Sequence, residues 1–433
     1  MVLLVGSVLV AALAGLLFGF DTAVIAGVTG DLVRVMDLSP VTLGITVSAA
    51  LWGTLLGALV AGIPGDRYGS RACLRGLALL YVASGLGCAL AGGWYELLFF
   101  RFIGGLAIGG SSVLAPVYIA ELAPPKRRGA LTGLFQLNIV AGILVAYLSN
   151  SLIEGWRWKF GVTCLPALLF FLLLWLIPAS PRWLALKGRT AEAIEVLRRI
   201  GSTDHPDSLL AAAHEGTGNL SWRRHGKPIL LAIAMGVFNQ MSGINAILYY
   251  LNDIFAAAGF GKVSADAQSV AVGATNLLFT ALAMLVIDRL GRRTLLLIGS
   301  VGTAVALAAT AVILWGLADQ SLLLWVLLLF IASFAFSQGA VIWVYISEIF
   351  PTEVRARGQS LGSGTHWLMN ALISGLFPLV ASWSKGAPFL VFAGAMAVQF
   401  AAVLLFFPET KRLSLEEITA GAASGKRSGA GGP

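Results

Sequence analysis

Long apolar segments recur along the whole chain, and they constrain its fold more than any other feature. The first runs from Leu4 to Phe20 without a charged residue, and eleven more follow it. About 20 apolar residues are needed for a helix to cross the roughly 30 Å hydrocarbon layer of a bilayer. Inside that layer a helix satisfies all its own backbone hydrogen bonds. The sequence therefore predicts an all-α polytopic membrane protein with twelve transmembrane helices, surrounded by a lipid bilayer.

Composition and charge agree with this class and exclude others. The 433 residues are 58% hydrophobic and 12% charged, whereas soluble domains carry about 25% charged residues. The net charge of +8 comes from Lys and Arg in short clusters between apolar segments, so we expect no nucleic-acid partner. Cys73, Cys88 and Cys164 lie in or beside apolar segments without paired spacing. That pattern argues against a disulfide framework and a zinc site.

One polar stretch divides the chain into two groups of six segments. We predict an N-terminal six-helix half over residues 1–179 and a cytoplasmic linker with short surface helices over 180–227. A C-terminal six-helix half over 228–407 and a partly disordered cytoplasmic tail over 408–433 complete the chain. In the linker, a helical periodicity places Ile194, Leu197 and Ile200 on one side of a short helix.

The distribution of Lys and Arg predicts the orientation. Most of them lie in the linker, in the tail and in alternate connections, such as the one around Arg67 and Arg75. Cytoplasmic connections carry the excess of basic residues in membrane proteins. We therefore expect a multi-pass protein of the inner (plasma) membrane, with both termini in the cytoplasm.

The two halves repeat each other in sequence. Gly65–Arg71 (GDRYGSR) follows the second segment, and Ile287–Arg293 (IDRLGRR) follows the eighth. Pro178 and Pro408 end the sixth and twelfth segments. Parallel repeats of six spans typically hold their substrate near the bilayer midplane, between the halves.

Six ordered motifs carry a more specific resemblance. They are RFIGG from Arg101, YIAE from Tyr118, RG from Arg128, PASPR from Pro178, GIN from Gly243 and PET from Pro408. In this order they resemble the sugar porter family of the major facilitator superfamily over essentially the whole chain. The resemblance implies the major facilitator fold and a proton-coupled monosaccharide symporter that works by alternating access. It also implies no cofactor or metal, no enzymatic activity, a sugar and a proton as partners, and a monomer.

A set of side-chain amides and aromatic rings is the candidate sugar site. Amides can donate and accept hydrogen bonds to hydroxyl groups together, and aromatic faces suit the apolar surfaces of a sugar ring. The resemblance places these residues at sugar-contacting positions: Gln136, Asn239, Gln240, Asn245, Asn276, Trp343, His366 and Trp367. For each amide the alternative is a hydrogen bond between helices, and for each tryptophan it is interfacial anchoring.

Asp21 is a carboxylate within the first apolar segment. An ionisable group at membrane depth is costly, which favours a functional role and a charged partner. Arg101 is the only basic residue within a first-half segment, so we predict that Asp21 and Arg101 form the proton-coupling pair. In the sugar porter family, an Asp at the position of Asp21, together with an Arg in the fourth transmembrane segment, marks proton symporters. The alternatives are a carboxylate that reaches water at a helix end and a permanent ion pair that orients two helices.

Charged residues beside the basic connections are candidate gates at the inner mouth. We expect Glu121 and Glu348 to pair with basic residues across the two halves and to close the cytoplasmic side; Tyr249 and Tyr250 are the candidate outer gate. The basic partners are Arg71, Arg128, Arg292, Arg293 and Arg355. Ser70 and Ala179 replace a usual Arg and Glu, so the first half's share of this network is expected to be weaker.

The substrate and the coupling mode stay open at this stage. Asn239, Ala340 and His366 depart from the commonest family residues, which leaves glucose, xylose, galactose and fructose all possible. A facilitative sugar uniporter is the alternative within the same class. A non-transporting sugar sensor is a third, although the 23 residues after Thr410 are few for the long extensions that such sensors carry.

Overall fold

A computed structural model describes residues 2–124, 127–201 and 219–411, without the side chains of residues 2, 128, 129, 288, 352 and 356. The expected disorder of the tail concerns residues that lie mostly outside this range. In the first half the helices are α1 (Val2–Val24), α2 (Thr29–Met36), α3 (Pro40–Val60), α4 (Gly62–Tyr68), α5 (Ser70–Leu90), α6 (Trp94–Leu122), α7 (Arg128–Leu152), α8 (Trp156–Gly161) and α9 (Cys164–Leu173). A 3-10 turn, Ile25–Gly27, joins α1 to the region of α2.

The linker contains α10 (Pro181–Leu186) and α11 (Thr190–Ile200). In α11 the buried residues are Ala193, Val196, Leu197 and Ile200, whereas Ile194 is exposed. Their spacing of i, i+3, i+4 and i+7 is that of one helix face. Ile194 lies beyond the edge of that face, so our placement of it with Leu197 and Ile200 was wrong.

The second half begins with helices that repeat the order of the first. They are α12 (Trp222–Met241), α13 (Ile244–Tyr249), α14 (Leu251–Ala257), α15 (Lys262–Leu290), α16 (Arg292–Leu314), α17 (Leu323–Phe336), α18 (Gln338–Glu348), α19 (Arg355–Trp383) and α20 (Ala387–Phe406). Eleven segments of the described residues are long and apolar enough to cross a membrane. The less apolar α19, with 29 residues, is the twelfth spanning helix.

Small residues let the helices around the first half's charged pair approach closely. A Cβ atom on Gly105 of α6 would lie 1.9 Å from the Ala50 carbonyl oxygen of α3, and one on Gly19 of α1 would lie 1.8 Å from the Ile139 carbonyl oxygen of α7. Glycines at such positions bring helix backbones into van der Waals contact, which is a common source of helix association in membranes. These contacts join α3 to α6 and α1 to α7.

The halves also meet each other at one end of the molecule. We call the end that carries α10 and α11 the linker end, and the other the opposite end. At the opposite end, Tyr147 of α7 donates a hydrogen bond of 2.9 Å to the Leu248 carbonyl oxygen of α13. A Cβ on Gly44 of α3 would lie 1.9 Å from the Gly375 carbonyl oxygen of α19. The two halves are therefore in backbone contact at the opposite end.

Candidate functional site

A cavity of about 740 Å³, counted with the part open to solvent, lies between the two halves. Residues of α1 and α7 line it from the first half, and residues of α12, α13, α15, α17, α18 and α19 line it from the second. Among the described residues that line it, none is an Asp, Glu, Lys or Arg. The lining includes seven of the eight predicted sugar-site residues: Gln136, Asn239, Asn245, Asn276, Trp343, His366 and Trp367. The cavity is thus neutral and rich in amide and aromatic groups, as an uncharged polar ligand requires.

A helix break brings two of these amides together. On a regular helix Gln240 and Asn245 would lie about 140° apart. Instead α12 ends at Met241 and Gly243 adopts a left-handed φ of 77°, after which α13 begins at Ile244. Asn245 Nδ2 then donates a hydrogen bond of 3.1 Å to Gln240 Oε1. Glycine is suited to that φ because it has no Cβ atom.

Gln240 itself lies behind the cavity wall. Its Nε2 donates to Asn239 Oδ1 at 3.1 Å and lies 3.2 and 3.3 Å from the two ring nitrogens of His366. A neutral imidazole accepts at one nitrogen and carries a proton on the other. Gln240 therefore orients Asn239, Asn245 and His366, three residues that line the cavity.

Aromatic rings form one side of the same cavity. The ring centroids of Trp343 and His366 are 5.0 Å apart, and those of His366 and Trp367 are 5.1 Å apart. Phe18 of α1 contacts Trp367 of α19 with a centroid distance of 5.5 Å. This last contact joins the two halves beside the cavity.

The predicted pair of Asp21 and Arg101 is present next to this cavity. Arg101 Nη1 donates to Asp21 Oδ2 at 3.2 Å, and the two residues are only 3% and 6% exposed. The Arg101 guanidinium lies 5.7 Å from the centre of the Phe160 ring. Its Nε is buried and has no hydrogen-bond partner among the described residues. The ion pair is thus a single contact in a low-dielectric site, and its guanidinium is incompletely satisfied.

A smaller cavity separates the ion pair from the larger one. Asp21 and Arg101 line it, and four residues line both cavities: Phe18, Thr22, Tyr249 and Trp367. The candidate proton site and the candidate sugar site therefore share a wall.

The two tyrosines are buried at the opposite end of the site. Tyr249 accepts a hydrogen bond of 3.3 Å from Asn370 Nδ2, and Tyr250 donates one of 3.0 Å to the Ser374 carbonyl oxygen. Our sequence analysis did not include Asn370 or Ser374. Because they follow His366 by four and eight residues, the i+4 spacing on one face of α19 was a signal that we missed.

One ion pair at the linker end lies within the second half. Arg292 contacts Glu348 through two hydrogen bonds, Nη2 to Oε1 at 2.8 Å and Nε to Oε2 at 3.1 Å. In the first half, Arg71 Nη1 donates to the Ile177 carbonyl oxygen at 2.8 Å. Glu121 Oε2 is buried without a hydrogen-bond partner among the described residues. The predicted pairs between halves remain a prediction for a conformation that is closed at the linker end.

Comparison with known proteins identifies the family. The model of the family described as "Sugar (and other) transporter" matches residues 7–421. The chain belongs to the sugar porter family of the major facilitator superfamily. This sugar porter is accordingly a transporter and not an enzyme.

Its relatives include symporters and a facilitator. The sugar porter is 37% identical to the arabinose-proton symporter of Bacillus subtilis over 94% of its own length and 92% of the relative's. It is 35% identical to the D-xylose-proton symporter of Escherichia coli, over 95% of its own length and 94% of the relative's. It is 34% identical to the glucose facilitated diffusion protein of Zymomonas mobilis, with 95% of each chain covered.

Solved structures confirm the major facilitator fold. The sugar porter superposes on the partially occluded inward-open form of the E. coli xylose transporter XylE with a TM-score of 0.86 and 32% sequence identity. The match covers 96% of the sugar porter and 100% of the XylE chain. With XylE bound to 6-bromo-6-deoxy-D-glucose, the TM-score is 0.78 and the sequence identity is 32%. That match covers 96% of the sugar porter and 98% of the XylE chain. Its arrangement of helices is more similar to the inward-open form than to that sugar-bound form.

Proposed function

We propose that this sugar porter is a proton-coupled monosaccharide symporter that imports its substrate by alternating access. One observation carries the proposal: a neutral cavity lined by amides and indoles shares a wall with a buried Asp–Arg pair. The names of the arabinose and xylose symporters support both the substrate class and the coupling ion. The transporter is proposed to work as a monomer in a lipid bilayer.

The sugar site is proposed to use the amides as paired donors and acceptors. Asn245 and Asn276 face the cavity, where their carbonyl and amino groups suit vicinal hydroxyls. His366 in its neutral form has a hydrogen-bond acceptor at one ring nitrogen and a donor at the other. The indole of Trp343 provides an apolar face for the sugar ring.

The proton site is proposed to be Asp21, with Arg101 as its mobile partner. Proximity of a guanidinium favours the ionised carboxylate, and burial without that partner favours the protonated one. A rocking movement that separates α1 from α6 would therefore load Asp21 with a proton, and a return of Arg101 would release it. A single 3.2 Å contact suits a pair that must part in each cycle.

The gates are proposed at both ends, with the linker end in the cytoplasm. Tyr249 and Tyr250 lie where the halves are in contact, and they are the proposed outer gate. At the linker end the proposed inner gate comprises Glu121, Arg71, Arg128, Arg292, Arg293, Glu348 and Arg355.

A facilitative uniporter is the second candidate, because a glucose facilitator is 34% identical over nearly the whole chain. Uptake of labelled monosaccharides into proteoliposomes, with and without an imposed pH gradient, tests the proposal. Accumulation above the external concentration under the gradient is expected. Equilibration without accumulation would establish the uniporter instead.

Asp21→Asn gives the decisive variant. It removes the titratable group while keeping the shape of the side chain, so accumulation should be lost and sugar counterflow should continue. Asp37→Asn is the matched control, because Asp37 is exposed at the end of α2. This variant should accumulate sugar normally. Loss of counterflow together with a lowered melting temperature would assign Asp21 a structural role, since an unpaired buried Arg101 is destabilising.

A further inference from the structure

A carboxylate with one buried oxygen atom lies where the two halves meet at the opposite end. We call this contact the outer seam and define it as residues 25–31 of the first half and 251–257 of the second. The 3-10 turn Ile25–Gly27 packs there against α14, and Lys262 Nζ lies 3.8 Å from Asp31 Oδ2 across the halves. Closure at this end brings backbone and side chains of both halves out of water.

Asp253 of α14 is the carboxylate within the outer seam. Its Oδ2 atom is buried and has no hydrogen-bond partner among the described residues. The residue follows the apolar segment that ends at Tyr249, so it lies outside the membrane-spanning part. The hydroxyl of Thr29, from the other half, is the favourable group beside it. An ionised carboxylate in this position is poorly compensated.

The charged groups around α14 engage other partners. On α15, which packs against α14, Asp266 Oδ1 accepts a hydrogen bond of 2.6 Å from Asn252, and Lys262 faces Asp31. Lys385 Nζ donates to the Ala257 carbonyl oxygen at 3.0 Å.

The remaining neighbours do not supply a counter-ion either. Buried Lys159 donates to the Gly27 carbonyl oxygen at 3.0 Å, and Arg34 pairs with Asp31 on its own helix. Tyr250, which begins the connection to α14, adds a further acidic group near Asp253. Among the described residues, no cation forms an ion pair with Asp253.

We propose that Asp253 is a second proton-binding group of this transporter, which takes up a proton from the external medium when the outer seam closes and returns it there when the seam opens. This proton does not cross the membrane. It makes the closed seam more stable at acidic external pH, independently of the proton that Asp21 is proposed to carry. The proposal rests on alternating access and on the proposed orientation.

The sign and size of the effect follow from the titration of Asp253. Burial raises its pKa from an ordinary value of 3.8 to about 6 in the closed seam. The open seam exposes the carboxylate to water and restores its ordinary pKa, so the closed form binds the proton more tightly. Closure is therefore favoured as pH falls through 6. From pH 8 to pH 5 the ratio of closed to open molecules should rise about tenfold.

Distances across the seam measure this ratio directly. Spin labels at Val35 and Val263, which are 62% and 85% exposed on α2 and α15, report the separation of the halves by double electron–electron resonance. The labelled protein, with its three native cysteines replaced, is placed in nanodiscs so that both sides have the same pH. We expect the short-distance population to grow as the pH falls below 6.

Three variants assign the effect to one carboxylate. Asp253→Asn, a neutral isostere of the protonated form, should keep the seam mostly closed at every pH. Asp37→Asn, an exposed carboxylate of α2, should titrate like the parent protein. Asp21→Asn should also retain the seam's pH dependence, which separates this proposal from proton symport. A distance distribution that does not change with pH, or one that changes as much in Asp253→Asn as in the parent protein, would overturn the proposal.

Discussion

At the residue scale, the ion pair of Arg292 and Glu348 and the buried pair of Arg101 and Asp21 differ in geometry. Arg292 and Glu348 form two hydrogen bonds at 2.8 and 3.1 Å, and Thr410 adds a third group to the same carboxylate at 2.6 Å. Arg101 and Asp21 share one contact at 3.2 Å. Bidentate arginine–carboxylate pairs are the stronger and more specific kind. The single contact between Arg101 and Asp21 is therefore the easier of the two pairs to separate.

The cavity amides give the first residue-scale prediction. Asn245→Ala removes a cavity amide and leaves Gln240 Oε1 without its donor, so the Kd for the preferred sugar should rise about tenfold or more. Asn138→Ala is the matched control, because that amide bonds the Leu134 carbonyl oxygen of its own helix at 2.9 Å. Isothermal titration calorimetry on both variants measures the difference. Equal sugar affinities of the two variants would mean that Asn245 stabilises α13 without contacting the sugar.

The imidazole of His366 gives a second residue-scale prediction. His366→Gln keeps a donor and an acceptor but changes their positions relative to Gln240 and Trp343. We expect a shift in selectivity among hexoses and pentoses of severalfold in kcat/KM, with the fold and the melting temperature retained. Competition of unlabelled sugars against labelled substrate tests this. An unchanged order of preference would show that His366 does not set specificity.

At the element scale, the repeated helices α5 and α16 begin differently. Both follow a glycine with positive φ, Gly69 at 84° and Gly291 at 89°. In the second half, Glu409 accepts hydrogen bonds from the backbone nitrogens of Arg292 and Arg293 at 2.9 and 3.1 Å. The corresponding first-half residue is Ala179, which offers no acceptor. The helix dipole and the unpaired backbone donors make such a carboxylate stabilising.

This asymmetry predicts a gain of stability. Ala179→Glu should supply the missing acceptor to the start of α5 and stabilise the first half by about 0.5–2 kcal/mol. Glu409→Ala should destabilise the second half by a similar amount. Melting temperatures of both variants in the same detergent check the pair, and a decrease for Ala179→Glu would show that the α5 terminus has no room for the side chain.

Sequence reasoning found the elements but not all of their neighbours. The twelve spans and the approach of Asp21 to Arg101 follow from local patterns, because apolar length and the cost of an isolated charge each act at known positions. The withdrawal of Gln240 behind the cavity wall and the hydrogen bond from Asn370 to Tyr249 depend on how helices rotate against each other. That rotation is set by packing across the halves, which a single sequence does not contain.

At the scale of the whole molecule, the contacts between halves are concentrated at the opposite end. The hydrogen bond from Tyr147 to Leu248, the Lys262–Asp31 pair and the close approach of α3 to α19 all lie there. At the linker end, the ion pair of Arg292 and Glu348 lies within one half. This distribution agrees with the higher similarity to the inward-open form of XylE.

The close approach of α3 to α19 predicts a block of the transport cycle. A methyl group on Gly44 would meet the Gly375 carbonyl oxygen, so Gly44→Ala should prevent full closure and lower the initial uptake rate at least tenfold. Gly76→Ala is the control, because nothing lies within 4 Å of the added methyl on α5. Uptake by the two variants, at matched amounts of folded protein, tests the contact. A normal rate for Gly44→Ala would show that closure tolerates a wider gap.

The contact between Gly44 and Gly375 also bears on the speed of the cycle. Neither residue has a side chain, so separating these two backbones requires no change of rotamer in either residue. Water entering the gap meets a backbone carbonyl oxygen that it can hydrate at once. We therefore expect a small activation enthalpy for the separation of these two glycines. The temperature dependence of turnover should then reflect other contacts, such as the ion pair of Asp21 and Arg101 and the ring contact of Phe18 with Trp367.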